Sequence, residues 1–297
     1  MQTYSSGRLY AGSLINDTSA ATLTVLDPII NQAIKRVVNL REWPFLEKTK
    51  AIPTVASQQA YDLPFDLGKL IGVTVTVSTT KYTPKEAPNR EFWDKLNQTV
   101  ISSDTPEWFY IFNGTVELYP IPSSANTLTF IYQRTQKNLS IADYVTGGIL
   151  TATNGSDSIV GTGTSWTPAM AGRWIQIADS DIANMGDGEW YEIESCPTAT
   201  TMTLTRLYNG MSIVAGSALY IIGQTSIIPE AYQELPLFKT AEIYFSSIKP
   251  EPDRARIYKD LYNDGVQEMM DAESSKTTGV TMNRMKREEN PNWYPKV

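Results

Sequence analysis

The sequence predicts an α+β protein: a helical bundle from the N- and C-terminal segments, an antiparallel β-meander, an inserted small all-β module of sandwich or barrel type, and an extended C-terminal arm. Three observations carry this reading. Residues 108–112 and 115–119 are β-rich runs joined by Asn113-Gly114, a pair suited to a two-residue type I′ turn because both central residues need positive φ. From Gly147 to Gly223 the chain turns rich in Gly, Ser and Thr, with short apolar runs at even spacing. Helical periodicity brackets both regions, at 27–41 and again beyond Pro229.

Taken in order, residues 1–19 are polar, small and without period, which reads as a loosely held arm. Asp27-Pro28 supplies an N-cap and a first-turn proline for a helix to Arg41. Ile30, Ile34, Val37 and Val38 follow at helical spacing, with Lys35, Arg36 and Arg41 toward its outer face and C-terminal end. After Trp43-Pro44, residues 49–55 form a short strand and Tyr61-Asp62-Leu63-Pro64 an extended piece. Residues 69–78 alternate through Leu70, Val73, Val75 and Val77 in a β-branched stretch that suits a half-buried strand. A brief helix over 88–98 carries Phe92, Trp93 and Leu96 on one face. The hairpin then begins. Pro120 and Pro122 block continuation of its second strand, and the alternation of Leu128, Phe130 and Tyr132 predicts a third strand of the meander.

Within the Gly/Ser/Thr-rich region, strands are predicted at 149–153, 174–178, 190–195, 201–206 and 218–222, separated by turn signals such as Asn154-Gly155, Asp187-Gly188 and Asn209-Gly210. Helical pattern returns with Leu237, Ala241, Tyr244, Phe245 and Ile248 on one face. A second helix from Pro252 has Ile257, Leu261, Val266 and Met269 or Met270 as its apolar positions. An isolated N-terminal helix and a C-terminal pair each present an apolar stripe, and packing them together is the economical solution. The predicted division is therefore 1–146 with 224–273 as core, 147–223 as inserted β-module and 274–297 as arm.

Composition closes the commonest catalytic routes. The chain has no histidine and one cysteine, Cys196, which removes histidine-based triads, histidine or all-thiolate zinc sites, and iron–sulfur ligation. Cys196 can form no internal disulfide and reads as a small buried or strand-end residue. No enzymatic activity, cofactor or metal is expected. A formal net charge of −7 argues against a surface built to grip nucleic acid, which uses clustered Lys and Arg. A wall past which a duplex must slide does better to repel it. No apolar run approaches the roughly 18 residues of a membrane span, and the N-terminus lacks the charged start and apolar centre of a signal peptide, so synthesis in a cytoplasm is expected.

Several motifs invite sharper readings. The carboxylates Asp179, Asp181, Asp187 and Glu189 suggest calcium, but Ala183 breaks the twelve-residue loop pattern and a solvated turn fits better. Gly161-Thr162-Gly163-Thr164 resembles a phosphate cradle without its lysine or helix start, so a hairpin or bulge is expected. Trp166, Trp174, Trp190 and Tyr191 could stack a sugar ring, which would make the module a carbohydrate- or receptor-binding unit; core packing is the commoner fate of such residues. The Asn-x-Ser/Thr triplets at Asn16, Asn113, Asn138 and Asn154 read as polar turns. In the tail, Met285, Arg287, Trp293 and Tyr294 stand in a polar stretch where nothing local can bury the aromatics, and they read as anchors that order on a partner.

The helix with its Trp-Pro pair (INQAIKRVVNLREWPFLEKTK), the YDLP turn, the meander and the segment IPEAYQELPLFKTAEIYFSSI together resemble the head-to-tail adaptor (connector) proteins of tailed bacteriophages. The intervening IVGTGTSWTPAMAGRWIQI, WYEI and TLTRLYNG look like an extra β-module of the kind phage neck and tail proteins carry. The resemblance implies a structural virion protein of the neck: a dodecameric ring beneath the portal, its helical bundle around a DNA channel. Its partners would be further copies of itself, the portal protein, and a tail, nozzle or stopper protein, with packaged DNA passing without specific binding and no membrane contact. Carried onto this chain, 274–297 becomes the portal-binding arm, with Met285, Arg287, Trp293 and Tyr294 as docking residues.

Overall fold

The structure, a computed structural model, describes residues 3–140, 142–144, 147–177 and 186–288, with the backbone alone for 214–217 and 274–288. The chain divides into two compact units, residues 1–37 with 138–297, and residues 38–137. The fold is mixed α+β, with sheets that are antiparallel apart from one short parallel pair.

The N-terminal segment differs from the loose arm predicted for it. It is a helix, α1 (Tyr4–Leu14), capped by Thr3, whose side chain accepts from the Ser6 amide. Its buried residues are Tyr4, Gly7, Ala11 and Gly12, a face too small to register as hydrophobic periodicity. A Cβ at Gly12 would come within 2.9 Å of Leu23, so the small residue permits close packing. The next helix, α2 (Ala20–Val38), starts well before the predicted Asp27. Ser19 and Asp17 hold its start: the Ser19 carbonyl accepts from the Leu23 amide, and Asp17 accepts from the Ser19 amide and the Thr22 hydroxyl. Pro28 therefore sits inside the helix and Asp27 is no cap. Asp27 instead receives Arg8 Nε and Nη2 at 2.6 and 2.9 Å and the Tyr4 hydroxyl at 2.6 Å. Ile30, Ile34, Val37 and Val38 are buried, as their spacing predicts, and Leu26 and Ala33 are buried with them.

The unit 38–137 is built on two four-stranded sheets. Trp43 is fully buried ahead of a 3-10 turn, Pro44–Leu46, that leads into β1 (Glu47–Pro53). After β2 (Ala60–Asp62) come β3 (Leu67–Val77), β4 (Thr80–Tyr82), β5 (Lys85–Glu86), helix α3 (Arg90–Leu96), and the hairpin of β6 (Trp108–Phe112) and β7 (Thr115–Tyr119). Asn113 and Gly114 have φ of +50° and +80°, the positive pair that the Asn-Gly turn signal predicts. The third predicted strand, β8 (Thr127–Arg134), exists but does not extend the hairpin. It lies between β1 and β3 in the sheet β1-β8-β3-β4, whereas β6 and β7 belong to β2-β7-β6-β5. The continuous meander is thus corrected to two sheets. Pro120 and Pro122, which lack ladder donors, let the chain leave one sheet for the other. One core joins their inner faces: Val73, Val75, Leu128, Phe130 and Tyr132 pack with Phe109, Val116 and Leu118. On the outer face of the hairpin sheet, Trp93 of α3 stacks on Tyr110 and donates from Nε1 to Glu117 at 2.8 Å.

The β-module contains seven strands: β9 (Ile149–Ala152), β10 (Ser158–Thr162), β11 (Trp174–Ile177), β12 (Trp190–Thr198), β13 (Thr201–Leu204), β14 (Ile213–Ala218) and β15 (Tyr220–Gly223). The predicted strands are present, with β10 and β14 in addition. Gly161 lies in β10 and Gly163 just beyond it at φ +69°, so the suspected phosphate cradle is a strand and its turn. The strand order is β14-β9-β10-β13-β12-β11-β15. Its two edge strands are separated in the chain by Leu219 alone, so the sheet curls until its edges approach. Inward side chains of its strands form one core, including Leu150, Ile159, Ile175, Tyr191, Ile193 and Ile222.

The C-terminal helices are α4 (Leu235–Ile243), continued by a π-helical turn at Tyr244–Ile248, and α5 (Pro252–Glu288). Leu237, Ala241, Tyr244 and Phe245 are buried as predicted, while Ile248 is exposed. Among the described side chains of α5 the buried ones are Tyr262, Val266, Met269 and Glu273; Ile257 and Leu261, expected on that face, are exposed. Tyr258 explains the rotation. Its ring stacks on Phe245 and its hydroxyl donates to the Leu14 carbonyl at 2.7 Å, which turns Ile257 outward. The backbone of α5 stays helical to Glu288, so the first fifteen residues of the predicted extended arm continue a helix.

Candidate functional site

The predicted docking residues fall at the end of α5. Met285 and Arg287 lie on its helical backbone, and Trp293 and Tyr294 lie outside the described residues. What positions this end of the chain is the packing at the root of the helix. Arg254 lies 4.3 Å over the Phe245 ring and Lys239 lies 5.0 Å over Tyr262, while Lys239 Nζ also meets Glu242 at 2.6 Å. Burial raises the Tyr262 hydroxyl pKa, with Glu242 adding to it and Arg36 opposing. Helices α1 and α2 are clamped alongside by Arg8 and Tyr4 on Asp27. Burial, then the hydrogen bond to Asp27, raises the Tyr4 hydroxyl well above the usual phenol range.

The chemistry elsewhere is that of packing. Cys196 is buried, and burial pushes its thiol up to about 11 against a smaller opposing effect of Arg173, so it is no ready nucleophile. Among the described residues no group of three His, Cys, Asp or Glu converges as a metal site. Asp179 and Asp181 of the suspected calcium loop lie outside the described residues. Asp187 is engaged by the Tyr191 hydroxyl, which burial and this hydrogen bond push up to about 12.

The suspected sugar platform is not assembled as one surface. Trp166 and Tyr191 are core residues, Trp166 donating from Nε1 to the Tyr220 hydroxyl at 3.0 Å. Trp174 and Trp190 are half-buried on the opposite face of the sheet. Strand alternation turns Tyr191 away from Trp174 and Trp190, and Trp166, outside any strand, is held in the core, which single-residue composition could not reveal.

One feature escaped sequence reasoning altogether. Arg41, Glu42, Lys69 and Arg134 line a cavity of about 330 Å³ in the unit 38–137. Lys69 Nζ meets Glu42 at 2.5 Å, and Arg41 lies 5.2 Å over the Trp43 ring. These residues come from three distant stretches, and only the pairing of β3 with β8 brings Lys69 beside Gln133 and Arg134.

Residues 5–157 match the family described as SU10 adaptor protein. No curated protein matches the chain. The matched stretch runs from α1 through both sheets of the 38–137 unit to the turn after β9, beginning earlier than the likeness drawn from the helix and its Trp-Pro pair. It covers just over half of the 297 residues. With α1, α2 and the paired sheets as its matched framework, the chain belongs to the SU10 adaptor family and is a bacteriophage head-to-tail adaptor protein.

Proposed function

We propose that this adaptor forms a dodecameric ring in the virion neck, joining the portal to a tail, nozzle or stopper protein and lining a channel through which packaged DNA is held and passed. Its role is structural, without catalysis. Family membership carries the reading. In this assembly α1, α2, α4 and α5 make up the bundle around the channel, the strands 147–223 act as a separable module, and the chain from Ser274, with Met285, Arg287, Trp293 and Tyr294, docks on the portal.

The length of α5 supports the docking role. Its 37 residues span about 55 Å at 1.5 Å per residue, longer than a small domain needs. Charge bears on the channel role only weakly: residues 38–137 hold ten basic and ten acidic residues, the strands 147–223 carry a net −5, and the segments bearing α1, α2, α4 and α5 a net −2. A wall built from those helices offers a duplex, with about one negative charge per 1.7 Å, no basic grip and at most mild repulsion per subunit.

Deleting residues 279–297 should leave circular dichroism and the thermal transitions intact while abolishing attachment to portal-bearing capsids. Unimpaired attachment of the truncated chain rejects the docking role. Negative-stain imaging of the full chain with capsids should reveal a symmetrical annulus at one vertex, and scattered decoration would reject the ring.

A further inference from the structure

The cavity in the unit 38–137 is basic in a chain that is acidic as a whole. Arg41, Lys69 and Arg134 line it against one carboxylate, Glu42. The Lys69–Glu42 pair is solvent-exposed, with side-chain exposures of 63% and 65%, so it is exchangeable at little cost. Arg41, also exposed, is braced against Trp43. At about 330 Å³ the cavity admits one or two side chains rather than a folded partner.

The complementary surface lies on α5. Asp260, Asp264, Glu268 and Asp271 are exposed at positions i, i+4, i+8 and i+11 of one face, next to the exposed Ile257 and Leu261. Like charges at i,i+4 repel along a helix by about 0.2–0.5 kcal/mol per pair. Among the described residues, the side chains of Asp260, Asp264 and Glu268 make no ion pair, and Asp271 accepts only from Gln267 Nε2 at 3.0 Å. This acidic stripe, with Arg256 one turn before it, and an apolar pair turned outward are what a partner with a basic recess would meet.

We infer that the cavity beside Arg41 and Lys69 receives one or two carboxylates of the α5 stripe from a second copy of this chain. The contact is heterologous, since the two faces are different surfaces, and a repeated heterologous contact closes a ring when its rotation divides a full turn. It therefore rests on the ring reading and supplies the surfaces by which neighbours meet. DNA phosphate is the competing anion, disfavoured because three cations beside a carboxylate in a chain of net charge −7 give little counterion release.

The test uses full-length chains. D260K/D264K/E268K reverses the stripe and R41E/K69E reverses the cavity, all at exposed side chains, with melting curves to check folding. Sedimentation velocity over a concentration and salt series should find self-association of the wild type, at least tenfold weakening in each reversed chain alone, and recovery in their equimolar mixture, where every contact is again between opposite charges. Undiminished association of both reversed chains overturns this contact and leaves the ring standing. No recovery in the mixture overturns it equally. A wild type that stays monomeric at every concentration overturns both contact and ring. A duplex oligonucleotide bound by wild type and lost in R41E/K69E, with association unchanged, assigns the cavity to phosphate instead.

Discussion

Replacing Asp27 by Ala tests whether α1 is a docked helix or a loose arm. Arg8 meets Asp27 through two parallel donors at 2.6 and 2.9 Å, and the Tyr4 hydroxyl adds a third bond at 2.6 Å. The pair is about one-third exposed, 30% for Arg8 and 34% for Asp27, which places it between two regimes. Fully exposed pairs contribute about 0.2–1 kcal/mol, and breaking a buried one costs about 3–5 kcal/mol. A bidentate pair at this depth gives a coupling of about 1.5 kcal/mol, and the lost Tyr4 bond brings the total to about 2.5 kcal/mol. Alanine returns about 0.5 kcal/mol through its better helix propensity, leaving a net loss of about 2 kcal/mol. An eleven-residue helix is marginal alone, so its amides are protected only while it is docked. Hydrogen exchange of peptides covering Tyr4–Leu14 should therefore accelerate about thirtyfold in Asp27→Ala. A double-mutant cycle with Arg8→Ala should recover the coupling. If Asp27 were the helix cap that its place before Pro28 suggests, exchange would rise in the first turn after Pro28 and the cycle would be additive. That result would refute the reasoning.

Three further outcomes are expected. Gly114→Ala meets open space but a φ of +80°, so it should cost the 38–137 unit about 1–2 kcal/mol in urea unfolding, and a neutral substitution would contradict the type I′ turn. Tyr132→Phe removes the hydroxyl that donates to the buried Asp66 at 2.7 Å, leaving Lys48 at 3.6 Å as its partner on the other oxygen, and should cost about 1–3 kcal/mol by the same measurement. Cys196 should resist thiol reagents at pH 8 until the protein unfolds. Because its folded pKa is raised to about 11, its contribution to stability is full below the ordinary thiol value of about 8.5 and is lost as pH rises toward 11. Immediate labelling of the native chain, or a pH-independent midpoint in Cys196→Ala and wild type alike across that window, would contradict the burial.

Local signals read well wherever the deciding physics was local. Asn113-Gly114 demanded positive φ and obtained it, the alternation of Val73 and Val75 matched the buried face of β3, and Phe92 and Trp93 lay on a short helix. Reading failed where a distant partner decided. The face of α1 is glycine and alanine, invisible to hydrophobic periodicity, and Asp27-Pro28 has the composition of a cap but is recruited by Arg8 nineteen residues away. Ile257 and Leu261 fit a helical stripe as well as Tyr258 and Tyr262 do, and packing against Phe245 chose between the two faces. Of the surfaces proposed as functional, the tail residues were picked out by composition, whereas the basic cavity has no signature in the chain.

The amino-acid sequence by itself determined the α+β class, the hairpin, the strand-rich module, the absence of histidine chemistry and the adaptor likeness, because each depends on composition or on residues within a turn or two of one another. Only the tertiary structure decided that β8 joins β1 and β3 rather than β7, that the seven-stranded sheet curls with Trp166 and Tyr191 inside, and that Lys69 stands beside Arg134. Those outcomes depend on pairings between segments tens of residues apart. There the free energy lies in shared burial and register, which no single stretch of chain contains.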